Sequence, residues 1–498
     1  MDQEKKPKKK NALLDGLEKY QNLNLTENLA KTYKSTLDPV LDLFALGGAL
    51  RSRASESIIS LFSKAFHTDK ELTLKCLFYI RDIRGGLGER RTFRILFEFL
   101  SRNYPRLAKK NIDNVPFFGR WDDLYATVGS DIEDDVFKYM HTQLQQDLKS
   151  EFPTLLAKWL KSENASNKKT KELAKLTMKH FKMSPRRYRK TLSKLRKQIG
   201  IVERKMCSQK WEDINYESIP SKAGMIYRDA FKRHDPEGYN EYLNRVEKGE
   251  AKINVDTLYP YEILRQAREH EKEIRALNLM WENLPDYTQD EENAIIVADT
   301  SGSMTGLGWG RYIRPVEPIL IAISLAIYFG ERNKGVFENK FITFSRNPDL
   351  QTIIGGNLRE KYINLEKTNW DMNTNIQAVF DLILGVAIQN KVPPSDMINK
   401  IYIISDMEFD RAVYDNRLMN FELIKKKYTQ SSYKMPTLVF WNVDSRQNNV
   451  PVKADETGVL LVSGASPIIF KMMENNLLDP VSFMLSVLTS ERYSRVML

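Results

Sequence analysis

The sequence predicts a multidomain protein in which an all-α helical-repeat module precedes a doubly wound α/β domain. Helical periodicity dominates up to residue 287, short apolar strands alternate with helices from Ala294 onward, and a polar stretch at 285–293 separates the two patterns. The 498 residues suffice for about three domains. We predict a basic polar tail at 1–21, the helical module at 22–288, and the α/β domain with carboxy-terminal helices at 289–498.

The helical half contains a recognisable helix pair. The first predicted helix has one apolar face, formed by Leu72, Cys76, Leu77 and Ile80. The second has another, formed by Phe93, Leu96, Phe97 and Leu100. The glycine-rich stretch 84–90 connects them. Because it follows a helix and lacks the Gly-Lys-Ser/Thr ending of a phosphate-binding loop, we interpret it as the turn of an αα-hairpin.

One segment of the helical half carries most of the positive charge of the chain. Residues 161–210 contain 17 Lys and Arg against 3 Asp and Glu, whereas the rest of the chain is slightly acidic. A helix that opens at Pro185 buries Tyr188 and Leu192 and leaves a cationic outer face: Arg186, Arg187, Arg189, Lys190, Lys194, Arg196 and Lys197. This face favours a nucleic acid, RNA first, as the partner. An acidic protein, a membrane surface and an ordinary solvated face are the alternatives.

The α/β half shows the alternation expected of a parallel sheet covered on both faces. Its predicted strands are 294–298, 339–344, 401–405, 436–441 and 458–462. Its predicted helices are 315–332, 375–389, 417–428, 467–474 and 480–488.

Polar side chains follow two of these strands. Asp299, Ser301 and Ser303 come after the first, and Asp406 ends the third, while Thr374 opens the helix between them. The carboxyl ends of parallel strands are where open α/β sheets bind ligands, and carboxylate and hydroxyl oxygens suit a hard divalent cation such as Mg²⁺. We therefore predict a magnesium site. The simpler alternative is that the acids cap helices and the serines form turns.

The motifs of common enzymes are missing from the sequence. Asp299 follows a strand as a phosphatase nucleophile does, but Ser301 stands where the second acid is needed. No Gly-x-Ser-x-Gly elbow surrounds Ser303, and no Walker loop occurs. Cys76 and Cys207 lie in helical patterns. We predict no catalytic residues and a non-enzymatic protein, with a Mg²⁺-dependent hydrolase as the least favoured alternative.

The two cysteines do not indicate a disulfide scaffold, which fits a reducing intracellular compartment, cytoplasmic or also nuclear. The longest apolar run, Ile319 to Phe329, is too short to span a bilayer, and the start of the sequence shows no signal-peptide pattern. We expect no membrane association.

The order of the strand, Asp-x-Ser-x-Ser, helix, Thr and second acidic strand end resembles the metal-ion-dependent adhesion site of von Willebrand factor A domains. The resemblance implies that Ser301, Ser303 and Thr374 contact the metal, and that Asp299 and Asp406 support it directly or through water. In such domains a carboxylate of a partner can complete the coordination of the cation.

Five stretches resemble the domain of unknown function 2828 family: Asp82–Arg90, Phe118–Asp122, Lys248–Asn254, Thr374–Phe380 and Gly458–Gly464. That family is similar to TROVE proteins, such as the Ro autoantigen, which join HEAT-like helical repeats to a von Willebrand factor A domain. The resemblance implies a ribonucleoprotein role, because the helical ring of Ro proteins binds misfolded and small structured RNAs.

Two functions follow from these observations. The favoured one is an RNA-binding scaffold, in which the helical module grips structured or small non-coding RNA and the A domain engages an acidic protein partner through its metal. The alternative is a metal-dependent protein-interaction module that binds no nucleic acid.

Overall fold

The computed structural model describes residue 13 and residues 21–269, 274–288, 293–305, 316–344, 348–367, 374–410, 420–473 and 479–498. The amino-terminal part of the chain is rich in helices, and the carboxy-terminal part contains a six-stranded mixed sheet with helices. Both features agree with the predicted fold class. The basic tail predicted at 1–21 lies almost entirely outside the described residues, and the three domain limits stay predictions.

Helices fill most of the chain between Pro39 and Glu282, because apolar side chains recur there at the spacing of one helix face. Some of them begin with a side-chain cap, as where Asp69 accepts a hydrogen bond from Leu72 N at 2.9 Å. The helices are α1 (Pro39–Leu46), α2 (Ser55–Thr68), α3 (Lys70–Arg81), α4 (Arg90–Asn103), α5 (Pro105–Lys110), α6 (Asn114–Phe118), α7 (Glu133–Asp147), α8 (Leu156–Trp159), α9 (Lys168–His180), α10 (Pro185–Gln198), α11 (Val202–Cys207), α12 (Ser221–His234), α13 (Pro236–Glu247), α14 (Pro260–Glu269) and α15 (Ile274–Glu282).

Two short strands near the start of the chain contradict the helical prediction for that stretch. β1 (Leu23–Leu25) and β2 (Lys31–Tyr33) pair in antiparallel register. The reason is a tertiary one, because Tyr33 also pairs with Val450, far away in the sequence, through backbone hydrogen bonds of 3.1 and 3.0 Å. Such pairing overrides local periodicity. We call residues 21–34 the amino-terminal hairpin.

The carboxy-terminal sheet has the strand order β5-β4-β3-β6-β7-β8, and only β4 and β5 pair in antiparallel register. The order reverses around β3, which creates a switch point beside β6. The strands are β3 (Ala294–Ala298), β4 (Lys340–Thr343), β5 (Leu350–Thr352), β6 (Lys400–Ser405), β7 (Thr437–Asn442) and β8 (Val459–Ser463). The helices are α16 (Pro318–Arg332), α17 (Leu358–Glu366), α18 (Ile376–Gln389), α19 (Asn420–Gln430), α20 (Ile468–Met472) and α21 (Pro480–Leu488).

All five predicted strands are present, each within one residue of its predicted limits, whereas β5 and α17 have no counterpart in the prediction. The predicted starts of two helices, Pro315 and Arg417, and the predicted end of another, Glu474, lie outside the described residues. Every helix of the described chain is too short or too polar to cross a bilayer.

Both faces of the sheet are buried, as predicted for a doubly covered sheet. One face, with Ile296 and Trp441, packs into a large core that includes α16 and the helical part of the chain. The other face, with Ile295 and Phe440, packs against α18 and α19 in a second core. The continuous apolar strands need this double cover, since residues on both sides avoid water.

The two ends of the described chain cross over between its two parts. Near the amino terminus, Gly48 N donates to Ser463 Oγ at the end of β8, at 2.9 Å. Residues 491–498, which we call the carboxy-terminal segment, pack back on the helical part. There Arg492 Nη2 donates to Asp82 Oδ1 at 2.7 Å, and Asp82 is fully buried. The helical and the α/β parts are therefore joined at both ends of the chain.

Candidate functional site

The first candidate site lies at the carboxyl ends of β3 and β6. The two strands pair in parallel, so the side chains that follow them meet at one edge of the sheet. Ser405 Oγ donates to Asp299 Oδ2 at 2.6 Å, and Ser301 N donates to Asp299 Oδ1 at 2.9 Å. The hydroxyl oxygens of Ser301 and Ser303 lie 2.9 Å apart. We call Asp299, Ser301, Ser303 and Asp406 the carboxyl-edge cluster.

The carboxyl-edge cluster contains two buried acids that repel each other. Asp299 is fully buried, and this burial, followed by the charge of Asp406, raises the pKa of Asp299 to about 7. Among the described residues, no three His, Cys, Asp or Glu side chains are grouped to hold a metal. The two serine hydroxyls would therefore have to complete the donor set, and oxygen donors of this kind suit Mg²⁺. The donor chemistry of these four predicted ligands suits a hard cation, and the magnesium site stays a prediction.

Thr374, the fifth predicted ligand, is engaged by other groups. Its hydroxyl accepts a hydrogen bond from Asn28 Nδ2 at 3.0 Å. The same hydroxyl lies 3.1 Å from Glu408 O and 3.0 Å from Asp410 Oδ1, and it can donate to either. The hydroxyl hydrogen and one of its two lone pairs are therefore in use. Asn28, which belongs to the amino-terminal hairpin, covers this side of the edge.

Arg446 places a positive charge beside the cluster, which the sequence prediction missed. Its Nη2 donates to Asp406 Oδ2 at 2.7 Å, and its guanidinium also pairs with Glu27 of the hairpin. Glu27 N donates to Glu408 Oε2 at 2.7 Å. Burial, together with a smaller contribution from the charge of Asp406, raises the pKa of Glu408 to about 7. Arg446 lies a few residues after β7, the strand next to β6. Its place after a neighbouring parallel strand is the sequence signal that could have assigned it to this edge.

The predicted cationic face is formed by α10. Tyr188 and Leu192 are buried, as predicted, and so is Leu195, while six basic residues are exposed: Arg186, Arg187, Arg189, Lys190, Lys194 and Lys197. Arg189 pairs with Glu163. Arg196 has a different environment, because its guanidinium donates to Ala157 O at 2.8 Å, Leu160 O at 2.9 Å and Ser162 Oγ at 3.1 Å. Arg196 therefore ties α10 to the chain around α8, and RNA binding by this face stays a prediction.

A large cavity in the helical part was not predicted. It has a volume of about 1410 Å³, and its walls come from segments spread between residues 51 and 262, with Val316 beyond them. Ten basic residues line it: Arg51, Arg81, Arg84, Arg90, Arg91, Arg120, Lys158, Arg196, Arg204 and Lys222. Only three acids do: Glu89, Glu203 and Glu262. We call it the cationic cavity.

The positive charge of the cationic cavity is only partly balanced. Arg120 forms a fork with Asp122, with two bonds of 2.9 Å. Arg81 Nε donates to Asp123 Oδ2 at 2.8 Å, whereas its buried Nη1 has no hydrogen-bond partner among the described residues. Partial burial, followed by the charges of Arg120 and Arg94, lowers the pKa of Arg90. The cavity therefore favours an anion.

Aromatic rings lie between these cations. The guanidinium of Arg120 lies 3.8 Å from the ring centroid of Trp159, and Arg51 lies 5.9 Å from that of Tyr261. The rings that line the cavity are Trp121, Trp159, Tyr227, Tyr259 and Tyr261. Cations and flat rings together can bind phosphates and stack on bases.

The glycine-rich stretch 84–90 is a turn, as predicted, and it also forms part of the cavity wall through Arg84 and Arg90. Tyr259 from a distant segment packs on it, and its hydroxyl donates to Leu87 O at 3.2 Å. The arginines beside the glycines were a signal that could have been read from the sequence. Their convergence with residues 196–227 and 257–262 could not, because it depends on the tertiary fold.

Comparisons with known proteins give two family matches. A family described as Domain of unknown function (DUF2828) matches residues 26–154 and 142–299, and one described as Domain of unknown function (DUF7788) matches residues 293–484. A protein of Acanthamoeba polyphaga mimivirus, described as uncharacterized protein L728, is 29% identical over 511 residues, which cover 94% of this chain and 87% of the viral protein. The crystal structure of the Deinococcus radiodurans RO (RSR) protein aligns with a TM-score of 0.45 at 10% identity, over 91% of this chain and 100% of that one.

Proposed function

The chain belongs to the family described as Domain of unknown function (DUF2828), and we propose that it is a non-enzymatic RNA-binding scaffold. The observation that carries this proposal is the cationic cavity, where ten Lys and Arg side chains and five aromatic rings converge. Phosphates need the positive charge, and unpaired bases need the flat surfaces. In this proposal the helical part is a HEAT-like, TROVE-like module that grips RNA.

The exposed face of α10 extends the proposed RNA interface. Arg196 lines the cavity, whereas Arg187, Lys190 and Lys194 of the same helix face solvent. The helix therefore forms a wall between the cavity and an outer cationic surface. A structured RNA with an unpaired end can contact both, with its duplex on the outer surface and its unpaired nucleotides in the cavity. The outer surface contributes charge, and the cavity contributes stacking.

Charge reversal at the cavity tests the proposal. We expect the double variant Arg84→Glu/Arg90→Glu to bind a fluorescently labelled RNA hairpin with a single-stranded tail at least about tenfold more weakly, with a salt dependence shallower by about 0.7 per lost phosphate contact. Fluorescence anisotropy over a series of salt concentrations measures both. Lys426→Glu/Lys434→Glu changes the net charge equally at exposed sites of the α/β part and serves as the control. Equal affinities of the two double variants would contradict RNA binding in the cavity.

The α/β part supports a second function. We propose that it is a von Willebrand factor A domain whose carboxyl-edge cluster binds Mg²⁺ and, through it, an acidic protein partner. The buried and mutually repelling Asp299 and Asp406 favour this proposal, because a divalent cation relieves their repulsion. Without RNA binding, this activity alone would make the protein a metal-dependent interaction module.

Chelation distinguishes the two functions. We expect partners of the α/β part, captured by affinity purification, to dissociate with EDTA and to be absent from Asp299→Ala, while RNA binding persists under both conditions. Release of RNA by EDTA would contradict the assignment of RNA binding to the helical part and of metal-dependent partner binding to the α/β part.

A further inference from the structure

The turn of the amino-terminal hairpin lies on the loop that follows β6. Asn28 Nδ2 donates to Thr374 Oγ1 at 3.0 Å and to Glu408 O at 2.8 Å. Beside it, Thr26 Oγ1 donates to Phe409 O at 2.7 Å. The hairpin therefore contacts a predicted metal ligand, Thr374, and the loop that begins with another, Asp406.

The neighbouring residue of the turn engages the other end of the site. Glu27 pairs with Arg446, whose Nη2 donates to Asp406 Oδ2 at 2.7 Å. A guanidinium presents several donors in one plane, and here it holds one carboxylate from the cluster and one from the hairpin. Glu27 thus occupies the position that an acidic group from outside the chain would take beside Arg446.

We propose that the turn tip Glu27–Asn28 is a built-in occupant of the carboxyl edge, and that its departure opens the edge to a cation bound through Thr374 or to an acidic side chain of a partner. The proposal rests on the metal-dependent function proposed above. The Asn28 N–H group already occupies one lone pair of the Thr374 hydroxyl oxygen, and a cation bound to the same oxygen would repel the partial positive charge of that N–H group. In the same way, the carboxylate of Glu27 and that of a partner compete for Arg446.

The contacts of this occupant are suited to displacement. The side chain of Glu27 is 41% exposed and Leu29 is 59% exposed. The partner of Glu27, Arg446, is 20% exposed, so water reaches this ion pair from the Glu27 side and weakens it. The remainder of the hairpin is anchored elsewhere, since Thr32 Oγ1 donates to Val450 O at 2.9 Å. Glu27 and Asn28 are both exposed, so the tip of the turn can lift from the edge while buried Thr26 and the strands stay docked.

The test compares the full-length protein with Glu27→Gln/Asn28→Ala and with Lys34→Ala. Lys34 lies in the same hairpin, and its side chain donates to Gln21 O at 3.0 Å, so the alanine variant is the matched control. In EDTA, we expect the double variant to exchange the amide hydrogens of Met407 and Glu408 about tenfold faster, because these amides donate to Ser405 and Asp406 beneath the turn. We also expect it to bind Mn²⁺ about tenfold more tightly by isothermal titration calorimetry, and Lys34→Ala to match the parent protein in both measurements.

Each result has a defined meaning. Unchanged amide exchange in the double variant would overturn the proposal, as would an unchanged Mn²⁺ affinity when the parent protein binds Mn²⁺. If neither the parent protein nor the double variant binds Mn²⁺, and Asp299→Ala gives the same titration as the parent protein, the metal assignment fails. The hydrogen exchange result then decides alone whether the turn covers the edge.

Discussion

His141 lies beside the cationic face of α10 and reports on its charge. The imidazole stacks on Phe181 with ring centroids 4.9 Å apart and contacts Gln145 at 3.1 Å. Partial burial, followed by the positive charge of Arg187, lowers the pKa of His141. The folded state therefore favours the neutral ring, and the stability that this group contributes is complete above its ordinary pKa of about 6.5 and lost as the pH falls below it.

This arrangement gives a residue-scale prediction. RNA phosphate bound at Arg187 should raise the pKa of His141, because a nearby negative charge stabilises the imidazolium form. Arg187→Ala should raise it in the free protein as well, since it removes the repelling charge. NMR titration of the imidazole protons measures both shifts. A pKa that does not change on addition of RNA would place the bound RNA away from this end of α10.

At the scale of elements, the backbone conformation of the turn between α3 and α4 affects the shape of the cationic cavity. Gly88 has φ +68°, and a Cβ at this position would lie 1.7 Å from Tyr259 Oη. A side chain here therefore meets both backbone strain and a clash with a cavity-lining ring. Gly249 has a similar φ of +72° but nothing within 4 Å of its Cβ position. Substitutions at the two glycines therefore separate the free-energy cost of backbone strain from the cost of a steric clash.

We predict that Gly249→Ala lowers the free energy of unfolding by about 1–2 kcal/mol, the cost of a left-handed residue with a side chain. Gly88→Ala should lower it by more, because Tyr259 must also move. Urea unfolding followed by circular dichroism gives both values. Equal decreases in the free energy of unfolding would mean that Tyr259 moves aside without cost, and that this part of the cavity wall is not tightly packed.

The elements differ in how far the sequence specifies them. The five predicted strands were found because each is a continuous apolar run buried on both faces, which is a local signal. β5 has three residues, and its Leu350 is 45% exposed, so it carries no such signal. The amino-terminal hairpin was mispredicted because its pairing depends on Val450, more than four hundred residues away.

The candidate sites differ in the same way. Asp299 and Asp406 were predicted together because each follows a strand, and parallel strands place their ends side by side. Glu27 and Arg446, which cover them, have no such relation in sequence. The cationic cavity was missed for a related reason, since Arg51, Arg120 and Lys222 are far apart in the chain and converge only through helix packing.

At the scale of the whole molecule, the stability of the helical part depends on the carboxy-terminal segment, which packs against it. Asp82 is fully buried and accepts hydrogen bonds from Arg492, from Tyr493 Oη at 3.1 Å, and from the backbone of the turn after α3. Tyr493 also stacks on Phe118, with ring centroids 5.5 Å apart. These contacts close the helical core.

We predict that Arg492→Ala lowers the free energy of unfolding by about 1–3 kcal/mol, because Asp82 keeps its buried charge but loses its cationic partner. Glu491→Ala, at an exposed neighbouring position, should change it by less than about 0.5 kcal/mol. Thermal unfolding with probes in both parts measures the effect. If only the α/β part is destabilised, the crossed chain ends do not couple the two parts.

The crossed ends also constrain how the protein is made. A ribosome releases the chain from the amino terminus, and early domains usually fold before later ones appear. Here the pocket around Asp82 stays open until residues 491–498 have left the exit tunnel, and the hairpin at residues 21–34 waits for the strand partner at Val450. The helical part therefore cannot complete its packing around Asp82 until residues 491–498 have been synthesised and reach it.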